Sequence, residues 1–386
     1  MFSIFKMPKG YSKSIHSFVI ILSVFGAIMV TSASMYQNID VFRVGFTLAK
    51  NFGIIIAGYF LMLAIAKLAT LPRIKAIIFP LAIIMGVVLL IPLFFAARGG
   101  AKAWIALPLI PFTIQPSEFA KVVVILLFAI YAGDVPTAQK SWLEIMKIPF
   151  IFLFVYTFMI VVLQRDLGSG VILFALGWML FLMPSNPRLM RPKIIFSVLT
   201  LAMFGFLFFL ISPPGIAFIN KLPLSAYQLN RFNDMANPFI NRYDSSFQLF
   251  NSLIAFTKGN WWGIGLGKSV QKLGYLPVAD TDYILAIIVE EIGIFGFIFI
   301  LIGYVVILFN LLSKAMRLKS ERGKMIVFGA ALYLMLHFIL NVGGVSATIP
   351  LTGVPLLMIS AGGSSQLAIM MALGFAQAMI AKERIP

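Results

Sequence analysis

Cysteine is absent, so disulfides, iron–sulfur clusters and thiolate-bound zinc are excluded. Histidine is nearly absent too, with only His16 and His337. That argues against a histidine-rich metal site and against a Ser-His-Asp triad. Any bound metal would need oxygen ligands, as Mg²⁺ does. Acids are scarce: 13 Asp and Glu stand against 30 Lys and Arg, and charged residues fill only 11% of 386 positions. A soluble domain carries about 25%, so water-soluble classes drop out. The net charge of +17 sits in small basic clusters between apolar runs, which is a poor footprint for nucleic acid.

What fills the chain is apolar, 61% of it hydrophobic. Runs of membrane length fall near 16–34, 46–66, 77–97, 115–132, 194–212, 284–310, 325–342 and 365–381. The stretch 149–183 is apolar but broken by Gln164-Arg165-Asp166 and Gly168, and reads as two helices meeting at one membrane face. The expectation is an all-α integral membrane protein of about ten transmembrane helices, forming a single polytopic domain over 1–386. An even number puts both termini on one side. Lys6 to Lys13, Lys67 to Lys75, Lys140 with Lys147, Arg188 to Lys193, Lys314 to Lys324, and Lys382 with Arg384 then share one set of loops. Basic loops stay inside, which predicts N-in and C-in. No clear A-x-A site follows the first run, so it reads as an uncleaved spanning helix. One long outer loop, about 213–283 between helices 7 and 8, opens with Pro213-Pro214. Its Trp, Tyr, Phe and Leu content argues against disorder and predicts short surface helices, notably Ser246 to Phe256.

Leu276 to Gly293 reads LPVADTDYILAIIVEEIG, with Asp282, Glu290 and Glu291 at the mouth of and inside an apolar run. A carboxylate at the bilayer centre costs about 2.5–3.5 kcal/mol even on the mild insertion scale. Such groups persist where they meet a wet cavity, a partner charge or a substrate. The preceding glycine-rich segment, Gly263 to Tyr275, has no acid and carries Lys268 and Lys272. Asp282 beside it looks like a base facing an anionic substrate; the plain alternative is a helix cap. Glu290 lies roughly 12 Å deeper on a helix starting at Asp282. It and Glu291 point about 100° apart and read as paired structural acids, or as a cation or proton site.

Other segments leave two readings open. Arg98, Lys102 and Trp104 form an interfacial loop; Pro116 opens a helix whose positive end Glu118 complements. Lys121 either pairs with Glu118 inside the membrane or faces a cavity and binds phosphate. Arg165 and Asp166 line a cavity at the polar break or pair elsewhere. Gly362-Gly363-Ser364-Ser365, after a re-entrant-looking stretch from Asn341, either offers amides to an anion or packs closely.

Taken together, several segments resemble the SEDS family (shape, elongation, division and sporulation), which includes FtsW, RodA and SpoVE. They are Ser32-Ala33-Ser34, Gln115-Pro116-Ser117-Glu118 with Lys121, Asp166-Leu167-Gly168, Gln248 with Ser252 to Ala255, Gly263-x-Gly-x-Gly-x-Ser269, Leu276-Pro277 with Thr281-Asp282-Tyr283, Glu290-Glu291-x-Gly293, and Pro355-Leu356 with Ser360 and Gly362 to Ser365. They run in family order over nearly the whole chain. Phe112 to Glu118 resembles FtsW more than RodA, pointing to division over elongation. Arg165 stands where a proline is usual, Ala361 where a tyrosine is usual, and Asn237 where Asp-Pro is common. Leu351-Thr352 lacks the lysine common there in FtsW proteins.

The resemblance implies peptidoglycan glycosyltransferase activity at the outer face of a bacterial cytoplasmic membrane. It implies lipid II as substrate, and a class B penicillin-binding protein and other divisome or elongasome membrane proteins as partners, with no nucleic acid. The family's essential aspartate maps onto Asp282, and its cavity acid and lysine onto Glu118 and Lys121. Trp104, Lys102, Asp166, Gln248, Ser269 and Ser364 join the candidate substrate contacts. Asp282 would take the proton of an acceptor hydroxyl. Lys121, Arg231, Lys268, Lys272 or a divalent cation such as Mg²⁺ would steady the leaving diphosphate. The rival readings are a lipid II flippase, whose site belongs near the midplane between inverted repeats, and a non-catalytic scaffold for the partner.

Overall fold

Local chemistry sets several helix ends in the computed structural model. It describes residues 6–35, 41–106, 113–133, 141–221 and 226–382; Phe112, Lys140 and Arg384 lie outside them. Among the described residues the chain is helical, with no strand beyond two isolated bridges. The helices in order are α1 (Lys13–Ala33), α2 (Val41–Leu68), α3 (Leu71–Leu90), α4 (Pro116–Ala132), α5 (Trp142–Phe158), α6 (Leu167–Phe181) and α7 (Met190–Ile211). Then follow α8 (Pro213–Ile219), α9 (Ala226–Ala236), α10 (Phe247–Gly259), α11 (Ile284–Ile292), α12 (Ile294–Arg317), α13 (Glu321–Val345) and α14 (Gly363–Lys382). A capping box between Ser141 and Glu144 starts α5, Asp166 caps α6 and Ser320 caps α13.

Among the described residues, eight helices are long and apolar enough to cross a membrane. They include α5 extended by a wide turn over Met159–Leu163, and α7 extended back to Pro187. The expected count of ten adds α6, of 15 residues, and α4, of 17. Every sequence-predicted apolar run overlaps an observed helix. The long loop holds α8, α9 and α10, and α10 covers most of the predicted Ser246 to Phe256.

α4 is the centre. It packs against α3, α5, α6, α13 and α14, and all but two of its residues are buried. An isolated helix carrying Glu118 and Lys121 would insert poorly, so these charges require neighbours on every side. α7 is the opposite case. It touches the bundle through Phe196, stacked among Phe181 and Trp178, and through Thr200, which accepts from Trp178 Nε1 at 2.7 Å. Its outer half, including Leu201 and Phe208, is exposed, which is what a lipid-facing helix looks like without its lipid.

The predicted single helix over 284–310 is broken. Gly293 adopts φ +80, and a Cβ there would come within 2.1 Å of the Trp261 carbonyl oxygen. Only glycine combines that backbone with that approach. The break lets the glycine-rich loop lie across the end of α11. Ile264 N and Gly265 N donate to the carbonyls of Glu290 and Glu291 at 2.9 and 3.0 Å, satisfying groups a helix end leaves open. Trp262 stacks on Phe295 in the first turn of α12, an aromatic anchor at the start of a spanning helix.

Candidate active site

Polar side chains gather around one cavity of about 1640 Å³. Its wall is made of segments far apart in sequence: α2, the loop after α3, the α5–α6 break, α9, α10, the loop before α11, and the stretch between α13 and α14. Of the predicted residues, Asp282, Trp104, Asp166, Arg231, Gln248 and Ser364 line it.

Asp282 is held by its backbone and left open at its side chain. Asn341 Nδ2 donates to the Asp282 carbonyl at 2.8 Å, Ser360 Oγ donates to the Thr281 carbonyl at 2.8 Å, and Ala361 N donates to the Asp280 carbonyl at 2.8 Å. The carboxylate accepts no hydrogen bond from the described residues. It does not cap α11, whose N-cap is Tyr283 without a side-chain bond. Its Oδ2 lies 3.5 Å from where a Cβ of Gly353 would stand, an ordinary contact distance. Burial pushes its pKa up to about 6; Arg231 opposes this, while Asp280 and Asp166 add to it.

Asp166 and Ser364 line the cavity but spend their polar atoms on structure. Asp166 accepts from Ser169 N at 3.1 Å and Gln115 Nε2 at 2.8 Å. The Ser364 hydroxyl accepts from Gln115 N and donates to the Thr113 carbonyl, both at 2.9 Å. Arg165 and Asp166 form no ion pair among the described residues. Arg231 donates to the Leu351 carbonyl.

Six predicted residues fall outside the cavity wall: Glu118, Lys121, Lys102, Lys268, Ser269 and Lys272. Lys121 does not face a cavity. Its ammonium meets Glu118 Oε1 at 2.7 Å and His337 Nε2 at 3.0 Å and is fully buried. A lysine only donates, so Nε2 accepts and the ring proton sits on Nδ1, within 3.1 Å of the Pro355 carbonyl. The Tyr333 hydroxyl donates to Glu118 Oε2 at 2.5 Å. Lys272 is bound to Glu291 Oε1 at 2.9 Å, and Ser32 Oγ donates to Glu291 Oε2 at 2.6 Å. Glu290 takes Ser269 Oγ and the amides of Val270 and Gln271, at 3.3 and 3.2 Å. The two acids therefore clamp the glycine-rich loop, which leaves Ser269 and Lys272 no free groups for substrate. Lys268 and Lys102 are exposed; Lys102 lies between the wall residues Ala101 and Trp104.

This fold and this motif order decide the family. The FTSW_RODA_SPOVE model, described as a cell cycle protein, matches residues 13–384. The chain belongs to the FtsW/RodA/SpoVE family. It is 32% identical over 384 residues to the probable peptidoglycan glycosyltransferase FtsW of Bacillus subtilis, covering 96% of this chain and 90% of that one. The protein of that name from Pasteurella multocida is 31% identical over 375 residues, covering 94% and 89%. Among solved structures, RodA of Thermus thermophilus superposes with a TM-score of 0.64 at 18% identity, covering 97% of each chain. A chain of a peptidoglycan synthase complex that coordinates polymerization and crosslinking gives 0.72 at 20%, covering 97% and 98%. This FtsW/RodA/SpoVE chain is thus a multi-pass membrane protein of FtsW-like sequence.

Sequence reasoning missed Lys50, Asp280, Asp234 and Asp244, all on the cavity wall. Lys50 sits mid-helix in an apolar run, the same membrane-depth charge signal that drew notice to Asp282. His337 was set aside as a triad member, and its actual role needed the fold. Among the described residues no three His, Asp or Glu groups converge on one point. A divalent cation would share its coordination with substrate oxygens.

Proposed function

We propose that this chain polymerises lipid II into β-1,4 glycan strands with Asp282 as general base, in cell division. As a peptidoglycan glycosyltransferase of the FtsW type, it works on a donor whose diphosphate is already a good leaving group. What remains is to remove a proton from the acceptor GlcNAc 4-hydroxyl as its oxygen attacks C1. The electron pair of the C1–O bond leaves with the diphosphate, and direct displacement turns the α-linked donor into a β product.

The observation that carries this reading is the open Asp282 carboxylate. It faces a cavity of about 1640 Å³, meets no donor among the described residues, and has its pKa pushed by burial up to about 6. A base works best with a pKa near the ambient pH. Basic residues at the start of α3 (Arg73, Lys75) and the end of α12 (Lys314, Arg317) support an inner placement of those helix ends. The cavity loop at Arg98 to Ala106 follows the other end of α3, which supports an extracytoplasmic site in the bacterial cytoplasmic membrane. Crosslinking by a class B penicillin-binding protein partner would follow polymerisation.

Purified chain with labelled lipid II, with and without that partner and with EDTA, tests this. Glycan strands form with parental Asp282 and vanish with Asp282→Asn. Parental synthesis by the variant removes the base assignment. No glycan from the parental chain with its partner and Mg²⁺ removes the polymerase reading.

A further inference from the structure

Five buried side chains behind the cavity wall form one network: Ser32 at the end of α1, Ser269 and Lys272 in the glycine-rich loop, and Glu290 and Glu291 in the last turn of α11. None of them lines the cavity. Every carboxylate oxygen accepts from the protein. Ser32 Oγ donates to Glu291 Oε2 at 2.6 Å, while Lys272 Nζ at 2.9 Å and Ser269 N at 3.3 Å donate to its Oε1. Glu290 Oε2 accepts from Ser269 Oγ and from Gln271 N at 3.2 Å, and its Oε1 from Val270 N at 3.3 Å. Two acids thus face one lysine, and Glu290 is held by neutral donors alone. A buried ion pair adds little stability over apolar packing of the same volume, and an unpaired buried acid costs more. The use of this network therefore lies in the geometry it fixes.

We propose that Glu290, Glu291, Lys272 and Ser32 are positioning residues for the transfer reaction: they hold the far end of the segment that carries Asp282 and so set where its carboxylate stands. This role rests on the polymerase reading with Asp282 as base. The route from clamp to base is short and bonded throughout. Leu273 N donates to the Val270 carbonyl at 3.0 Å, Leu276 N to Gln271 at 2.9 Å, Ala279 N to Leu276 at 3.2 Å and Thr281 N to Val278 at 3.2 Å. Successive turns run from the clamp to the residue before Asp282, and Leu276 and Ala279 anchor them in the core.

α11 closes the ring. It begins two residues after Asp282 and ends in the two acids, so base and clamp stand at opposite ends of one nine-residue helix. Eight helical residues separate them by about 12 Å. The loop from Ser269 to Asp282 returns along that helix. Ser32 adds α1, an element outside the ring, and so fixes the clamp to the bundle as well as to α11. Asn341, Ser360 and Ala361 grip the same segment at Asp280 to Asp282 from the other side. With one grip gone, the segment can tilt about the other. The carboxylate stays aimed only while both hold.

Steady-state kinetics on the purified full chain with labelled lipid II, paired with a thiol probe, test this. The chain has no cysteine, so Ala279→Cys places a single thiol at a buried position, and its alkylation rate reports opening of the segment. Ala279→Cys alone sets the reference. Glu290→Gln and Ser32→Ala lower kcat by about 10–100-fold and leave KM for lipid II within about threefold. Lys272→Met combined with Glu291→Gln leaves no unpaired charge from that pair, so it recovers the folded yield that either single change loses, yet it does not recover kcat. In each variant the probe is alkylated faster. Burial raises the Asp282 carboxyl, with Arg231, Asp280 and Asp166 as the charges acting on it, so a loosened segment also moves the acid limb of the rate below pH 6. Parental kcat in these variants overturns the proposal whatever the alkylation rate. A lost kcat with unchanged alkylation and an unmoved acid limb overturns it too, because the damage then does not travel through the segment. A raised KM with parental kcat makes the network a substrate contact instead. In all three cases the parental chain still makes glycan, and the polymerase reading stands. A parental chain that makes none removes that reading, and with it the role of the clamp in transfer.

Discussion

Asn341 holds Asp282 without touching its carboxylate. Its side-chain amide donates one proton to the Asp282 carbonyl and the other to the Val354 carbonyl, both at 2.8 Å. One NH₂ group thus joins the segment carrying the base to the segment carrying Gly353. Asn341 Oδ1 is buried without a partner, so those two protons are its polar links. Ser360 and Ala361 brace the same loop from the far side, at Thr281 and Asp280. The proposed base is thus held by its backbone, with its carboxylate left without a donor among the described residues.

Replacing Asn341 should therefore damage turnover more than binding. Asn341→Ala should lower kcat by about 10–100-fold, since small misplacements of a reacting group cost that much. KM for lipid II should move by less than threefold, by the order of magnitude expected when no substrate contact is lost. Asn341→Asp keeps the volume but loses both donors, and should do no better. Steady-state kinetics on both variants check this. A raised KM with parental kcat would instead make Asn341 a substrate contact.

The pH profile follows from the pKa of about 6 at Asp282. The base works ionised, so activity should be nearly full at pH 7.5 and fall below pH 6. Between pH 7 and 5 the ionised fraction drops about tenfold, and kcat/KM should fall with it. Lys50→Gln removes a cation near Asp280 and should move the acid limb upward if it moves it at all. Initial rates in detergent at fixed ionic strength give the profile. An acid limb near pH 4 would mean that the working carboxylate is an ordinary exposed one.

The same shift carries a stability sign. The folded pKa of Asp282, about 6, is above its ordinary value of 3.8, so the folded chain holds this proton more tightly than the unfolded chain does. The ionised form is thus disfavoured on folding above about pH 4, and the penalty is complete above about pH 6. Asp282→Asn removes it. The variant should unfold at a higher temperature than the parental chain at pH 7.5, and the gain should vanish as the pH approaches 4. Thermal unfolding followed by circular dichroism at both pH values tests the direction. A variant less stable than the parental chain at pH 7.5 would contradict it.

Apolar length alone announced the helical membrane fold, because hydrocarbon tolerates little else. It could not announce the interruption at Gly293, since Ile284 to Asn310 also carries Gly296 and Gly303, which sit inside α12 without breaking it. The decisive contact is the Trp261 carbonyl, which arrives from a loop about thirty residues earlier. Charge placement was half legible. Asp282 was found because an acid at membrane depth needs a reason, and the cavity supplies it. Lys121 and Lys272 drew the same attention for the same reason, but burial against Glu118 and Glu291 was the answer there. A one-dimensional reading sees that a charge is out of place and cannot see whether an anion or a cavity waits beside it. Lys50 carries the same out-of-place charge in α2, and its position on the cavity wall shows once α2 is placed in the fold.

Glu118 and Lys121 give the sharpest test of a structural pair against a substrate contact. Both are buried, 2.7 Å apart, and tied to His337 and Tyr333 on α13. Removing one partner leaves the other charge uncompensated, which typically costs about 3–5 kcal/mol. Lys121→Met should therefore lower the unfolding temperature and the folded yield sharply. Glu118→Gln combined with Lys121→Met should recover much of the loss, because no net charge remains buried. In both variants the fraction that folds should show a donor KM near the parental one, since neither side chain reaches the cavity. Unfolding curves together with KM on the folded fraction decide it. Normal stability with a raised donor KM in Lys121→Met would place the lysine on the substrate after all.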